Sequence, residues 1–419
     1  MSAADVLRAR PRLRSDVLVS RPLLRGPGNV HLLLDTRTGT QLEVAPKVHF
    51  VIDRLDGRHS LEEIGTAYAV AFGARLGEPQ WQQLLGLLYG RRLLVGTDPD
   101  LEPATATQAA QGAKAAQATN APEPARTVRQ RLLDGRLPLV ADTPAVIERL
   151  HRATGFVRNR FLLGALLLLV SAMTVDLAGH LRSLTAGTAA LRDRPLTLLA
   201  VVAAVWLSMA LHELAHGLAG RAAGGAVGEI GLRWRLPMAY LYCTVEDVRF
   251  LAGRGRQLAV AGAGVLVNLA LLLPPYLLWT VLGHGARPHP GLDALLLIGS
   301  VAGLANLLPL PPLDGYKMLE YLLGTAQLST ESRRFTALAL GALLRRGAGI
   351  GGYPLRSRLV LGGYAVAWAG LTAALLWALG LLLRLWLPED LALFLPALLL
   401  GCVALLQARR PGSAAGGAR

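Results

Sequence analysis

Cysteine is nearly absent. The 419 residues hold two, Cys243 and Cys402, and neither lies in a Cys-x-x-Cys pair. That excludes a disulfide framework and a cysteine-ligated zinc site. A long apolar core is missing from the Arg-rich residues 1–30, so no signal peptide is expected and the front of the chain is expected to stay in the cytoplasm. Charge is sparse: 17% of residues are Asp, Glu, Lys or Arg, against 53% hydrophobic, with mean hydropathy +0.41. That balance is too apolar for an ordinary soluble enzyme and points to a polytopic membrane protein. Acidic residues are the scarcer sign, 28 against 43 basic, for a formal charge of +15. So basic a chain raises the question of nucleic acid. The Arg clusters, however, flank apolar spans as the positive-inside rule requires. The partner they indicate is the lipid bilayer, and no nucleic-acid partner is expected.

Residues 1–97 read as a small α+β cytoplasmic domain. VHLLLDT, from Val30, has strand character, and TRTGTQLEV passes through a Gly-centred turn into a second strand. Pro46 suits a helix start, and Val48, Val51, Ile52 and Leu55 follow at helical spacing. Asp56-Gly57 ends that helix, and Ser60 with Glu63 forms a capping-box pattern that opens another. A third helix is expected over 81–89 and a closing strand at RRLLVGT, a winged-helix-like order. His31, His49 and His59 show no ligand spacing. On the strand pair around residues 35–39, the Leu55-Asp56-Gly57 turn and Ser60-Leu61-Glu62-Glu63-Ile64, this domain resembles the PqqD-like domains. The resemblance implies recognition of a leader peptide as an added strand, with peptide-modifying enzymes or an exporter as partners.

Residues 98–126, rich in Ala, Thr, Gln and Pro, read as a flexible linker. Residues 127–160 are basic and mildly amphipathic, and are expected to lie along the cytoplasmic membrane surface. A transmembrane domain over 161–410 follows, then a tail over 411–419. Six apolar spans are expected, near 161–181, 195–220, 257–282, 292–310, 359–383 and 391–407, with a kink or early end at Pro274-Pro275. An even count places both termini on one side. The Arg-rich connections make that side cytoplasmic and leave 183–194 and 385–390 as outer turns. Residues 225–250 alternate in a way that suits a membrane-dipping hairpin, and the Arg-rich stretch 315–358 suits lipid headgroups.

The second span, PLTLLAVVAAVWLSMALHELAHGLAG over 195–220, carries the chemistry. Its last turns hold His212, Glu213 and His216, an H-E-x-x-H motif. Histidines four apart share one helix face, so their rings can reach one metal ion. Glu213 is placed to act as general base on a water beside it. Ionisable groups in a membrane helix cost about 2.5–3.5 kcal/mol each on insertion scales, which marks them as functional. A catalytic zinc takes three protein ligands and keeps one position open. No other histidine lies in a central span, and His180, His284 and His289 fall on the outer side. The third ligand is therefore expected to be a carboxylate at the cytoplasmic end of a span. Asp314, in NLLPLPPLDG over 306–315, satisfies that depth. Glu229, Glu246, Asp247 and Glu320 remain open, and Asp176, Asp193 and Asp293 lie on the opposite side.

HELAHG and NLLPLPPLDG together resemble the signature of the site-2 protease family of intramembrane zinc metalloproteases. The small-residue segment ending in Asn268 is similar to the family's, though less strict. The resemblance covers about 195–320, and no PDZ-like insertion is evident. It implies one Zn2+ per chain bound by His212, His216 and Asp314, with Glu213 as general base and acid. It also implies Asn306 and Asn268 as supports for the substrate backbone or oxyanion.

The function expected is thus a multi-pass zinc endopeptidase of the bacterial inner membrane, acting on a peptide precursor or a membrane protein. Leader removal in the maturation of a ribosomally made, modified peptide is one role. Signalling by regulated intramembrane proteolysis is an alternative. A non-catalytic peptide-binding or export subunit with a structural metal would have no use for Glu213. Zinc transport would call for more ionisable groups along a path than the spans contain. Reporter fusions after Gly315 and at the C-terminus should report cytoplasm, and one near Pro388 the outside. A cytoplasmic signal near Pro388 would break the six-span reading.

Overall fold

A computed structural model of the chain describes residues 7–95, 134–140, 142–155, 159–235, 238–245, 248–283, 289–344 and 349–383. The expected linker, the 385–390 turn, the sixth span, the tail, Glu246, Asp247, His284 and Cys402 lie outside the described residues. These residues divide into two compact units, one formed up to residue 24 and over 29–326, the other from 25–28 and 327 onward.

The front domain opens the first unit. Its strands are β1 (Val17–Val19), β2 (Leu23–Arg25), β3 (Gly28–Asp35) and β4 (Thr40–Val44). β3 pairs with β1 and β2, and antiparallel with β4 on its other side, His31 facing Val44 and Asp35 facing Thr40. Three helices follow: α1 (Pro46–Ile52), α2 (Leu61–Phe72) and α3 (Glu78–Gly90). α2 opens on the expected capping box, with Ser60 accepting from the Glu63 N–H and Glu63 accepting from the Ser60 N–H. Leu33, Ile52, Leu55, Leu61, Ile64 and Leu88 are almost completely buried and form the core. Each such side chain contributes about 1.5–3 kcal/mol relative to exposure. In the described part of RRLLVGT, 91–95, the expected closing strand is reduced to an isolated bridge between Leu94 and Leu13. Its partner segment around Leu13 continues no ladder, so two flanking bonds, Arg14 N–H to Leu93 O and Val95 N–H to Arg12 O, make up the pairing.

Part of the 127–160 stretch is described. Its described part supplies β5 (Asp134–Pro138) and α4 (Thr143–Ala153). β5 joins β6 (Val227–Arg235) and β7 (Met238–Val245) in a three-stranded antiparallel sheet, so the hairpin expected over 225–250 is present and has gained a third strand. α4 is tied by a 3.0 Å ion pair, Glu148 to Arg221.

The apolar helices are α5 (Arg160–Gly179), α6 (Leu181–Ala189), α7 (Pro195–Ala222), α8 (Arg254–Ala270), α9 (Leu273–Val281) and α10 (Pro290–Ala305), followed by α11 (Asp314–Leu323). Four stretches are long and apolar enough to cross a membrane: Arg160–Gly179, Pro195–Ala222, Arg254–Val281 and, in the second unit, Leu355–Leu379. Of the six spans expected, five fall on described residues, and four of those five are long and apolar enough to cross. The fourth expected span shortens to the 16 residues of α10, about 24 Å at 1.5 Å per residue, less than the roughly 30 Å of a hydrocarbon core. Pro309, Pro311 and Pro312 lie just beyond it and lack the N–H groups that would continue the helix. The break expected at Pro274-Pro275 is present between Ala270 and Leu273. The expected outer turn over 183–194 is instead α6 plus a single 3-10 turn. Leu184 and Leu191 are buried from it, and Gly187 abuts the Asp293 carboxylate. Asp293 in turn accepts from Trp279 Nε1 at 2.7 Å.

In the second unit, α12 (Leu328–Leu343) and α13 (Leu355–Leu383) join through Ser332 Oγ donating to Leu361 O at 2.7 Å, with Phe335 edge-on to Tyr353.

The front domain is more than a tethered module. Leu24 N–H donates to Gly324 O at 2.7 Å and Ala326 N–H to Leu24 O at 3.0 Å. β2 thus adds to the turn that ends α11. Leu24→Pro removes the first donor, and each such bond nets about 0.5–1.5 kcal/mol. The Ala326 amide should then exchange about tenfold faster or more, while the Leu33 and Ile64 amides keep their protection. Unchanged exchange at Ala326 would mean the pairing does not hold the turn.

Candidate metal centre

α7 changes character along its length. Leu196, Leu199, Val202 and Trp206 recur at helical spacing and are exposed, as a lipid-facing stripe would be. The last turns bury His212, Ala215, His216, Gly217 and Gly220 instead. Glycine makes that packing possible. A Cβ at Gly217 would stand 2.5 Å from Cys243 Sγ, and one at Gly220 would stand 2.6 Å from Val245, so β7 runs directly against the helix.

Asp314 comes from a different element. It is the first residue of α11, placed there by the Pro-rich turn after α10. Gly315 N–H donates to Asn306 O at 2.7 Å, and a Cβ on Gly315 would lie 2.0 Å from Leu307 O. The glycine of the Asp-Gly pair is therefore demanded by close backbone approach.

The two elements meet at three atoms. His212 Nε2 lies 2.8 Å from Asp314 Oδ2, His216 Nε2 lies 3.1 Å from the same oxygen, and the two nitrogens are 3.1 Å apart. All three residues are buried. Tetrahedral zinc with bonds near 2.0–2.1 Å spaces its ligand atoms about 3.3 Å apart. The observed triangle is slightly tighter than that and of the right shape, so the donor set fits a metal ion. His216 Nδ1 sits 2.7 Å from Val260 O, which orients the ring as a ligand's far nitrogen usually requires. His212 lies against Gly264, where a Cβ would come within 2.5 Å of the ring. Its Nδ1 has no hydrogen-bond partner among the described residues. Burial opposes ionisation of Asp314, but the bonds to His212 and His216 and the charge of Lys317 hold its carboxyl below the usual range.

No family model, curated protein or solved structure matches this chain.

The other sequence candidates separate cleanly. Glu213 is next to His212 and partly buried, and its charge reaches both Cys243 and Lys317. Burial, with Glu213, pushes the Cys243 thiol up to about 11, and Cys243 does not belong to the His212–His216–Asp314 group. Asn268 is buried one turn beyond Gly264, its amide 3.4 Å from Met209 Sδ and its oxygen without a partner among the described residues. The Asn306 side chain donates to Ala302 O, while its backbone carbonyl holds Gly315. Glu229 is engaged by Tyr242 OH, and Glu320 by Arg249 and Tyr316, so neither belongs to the cluster. Gly264 lies within the small-residue segment that ends in Asn268, whereas Val260 has no sequence signal and Lys317 has only its i+3 spacing from Asp314.

Purified protein should carry one tightly held metal. Gly264→Ala, which leaves every ligand in place, should lose most of it by displacing His212, as elemental analysis would show. Full retention would mean the ring tolerates a displacement that the contact distances forbid.

Proposed function

We propose that this chain is a membrane-embedded zinc endopeptidase similar to the site-2 proteases. The observation that carries this reading is the convergence of His212, His216 and Asp314, separated by 98 and 102 residues in sequence, with Glu213 alongside. A zinc ion held there would supply Lewis acidity, polarising the scissile carbonyl and lowering the pKa of a water to roughly 7. Glu213 takes the proton of the attacking water and passes it to the leaving amine. A structural site needs no such base, which weighs against a purely structural metal.

A helical peptide hides its carbonyls in its own hydrogen bonds, so the cleaved segment must be extended. β7 supports this requirement. Among the described residues it pairs only with β6, and it lies along α7 beside the metal ligands. A substrate strand added to its free edge would bring its backbone past Glu213. In the front domain, β4 pairs only with β3 among the described residues, which supports recognition of a leader peptide by a PqqD-like domain. We read the substrate as a peptide precursor whose leader is removed, at a bacterial inner membrane with the metal end of α7 toward the cytoplasm.

Glu213→Gln preserves shape but accepts no proton at neutral pH. Peptide-bond cleavage should fall by about a hundredfold or more, with metal content and fold unchanged. Equal turnover by the variant would remove Glu213 from the role of base.

A further inference from the structure

Lys317 stands one turn into α11, with Nζ 2.9 Å from Asp314 Oδ1. The other oxygen of that carboxylate, Oδ2, is the one that meets both histidines. One carboxylate is thus divided between the ligand cluster and an ammonium.

A carboxylate can ligate through one oxygen or through both. Two-oxygen ligation would occupy the position that a catalytic centre keeps open. Turning Oδ1 toward the histidines would break a charge-assisted hydrogen bond, which is among the stronger kinds. It would also leave the ammonium without its nearest counter-charge. A helix-surface ion pair at this spacing is ordinarily worth only a few tenths of a kcal/mol and carries no function. Here, however, the acid partner is buried and is itself a ligand.

We propose that Lys317 is a positioning residue that keeps Asp314 a one-oxygen ligand and so leaves the fourth position of the metal centre open. This rests on the metal-centre reading above and concerns how that centre is kept competent. Lys317 touches neither the two histidines nor the reacting atoms in this assignment, and its one direct bond to the centre is to Asp314 Oδ1.

The test is cobalt(II) loading of the full-length, detergent-solubilised protein. Visible cobalt bands weaken as coordination number rises, and chelator competition gives affinity. Lys317→Met should weaken the bands and hold cobalt roughly threefold more tightly or better, because a second oxygen is gained and a like charge removed. Lys317→Arg, which can still donate to Oδ1, should keep the wild-type spectrum. In an Asp314→Asn background, where no second carboxylate oxygen exists, Lys317→Met should leave the spectrum unchanged, with only the smaller charge effect on affinity remaining. Given a cleavable substrate, the Met variant should lose kcat with KM unmoved. A Met variant that matches wild type in spectrum and affinity overturns the proposal alone, as does one that binds more weakly with an unaltered spectrum. A wild-type chain that takes up no cobalt overturns the metal reading and this proposal together.

Discussion

Everything around the centre follows from the need to hold two imidazoles and a carboxylate together in an apolar interior. Removing ionisable groups from water costs several kcal/mol per charge unless partners replace the solvent. His212, His216 and Asp314 replace it for one another, at separations of 2.8 and 3.1 Å. The cluster can close only if two helices approach without side chains between them. Gly264 provides that at the His212 ring, and Gly315 provides it where α11 begins against the Leu307 carbonyl. The small residues of these motifs are thus steric conditions for the ligands to meet.

The same helix that presents Asp314 is anchored at its other end. Glu320 is buried and takes Arg249 on one oxygen and Tyr316 on the other. The turn that follows accepts Arg249 at Thr325 O and pairs with Leu24 of the front domain. α11 is therefore fixed at its start by the Pro-rich turn and at its end by a polar network and a borrowed strand. A buried network whose members are satisfied resists rearrangement, because breaking any one member strands another. In this way Asp314 at one end of a ten-residue helix and the front domain's second strand at the other belong to one structure.

The three-stranded sheet has an asymmetry that bears on the proposed chemistry. β5 and β7 each pair only with β6 among the described residues, but β7 is the edge strand that runs against α7. A free edge is a liability for most proteins because it recruits other strands. Beside a peptidase centre that same property would select extended chains.

The helix starts and breaks could be read from sequence because their causes are local. Ser60 and Glu63 cap α2 within four residues, Pro46 starts α1, and Pro274-Pro275 break the long apolar run between α8 and α9. His212 and His216 could be paired for the same reason, since one helical turn separates them. Depth favours Asp314 in the sequence, with Glu229 and Glu320 as weaker candidates, and the contact across 102 residues places Asp314 against both histidines. What stayed hidden is set by partners remote in sequence. β5 is a strand because β6 offers it an edge, α6 is a helix because Leu184 and Leu191 find an apolar neighbour, and the RRLLVGT strand fails because Leu13 continues no ladder. Lys317 is an ordinary helix-surface lysine in sequence, and only the division of Asp314's two oxygens makes it part of the centre. Short-range spacing and capping thus determined the elements and the paired histidines. The third ligand, the sheet and the residues that orient the site were decided by tertiary packing, because pairing energy between distant residues has no signature along the chain.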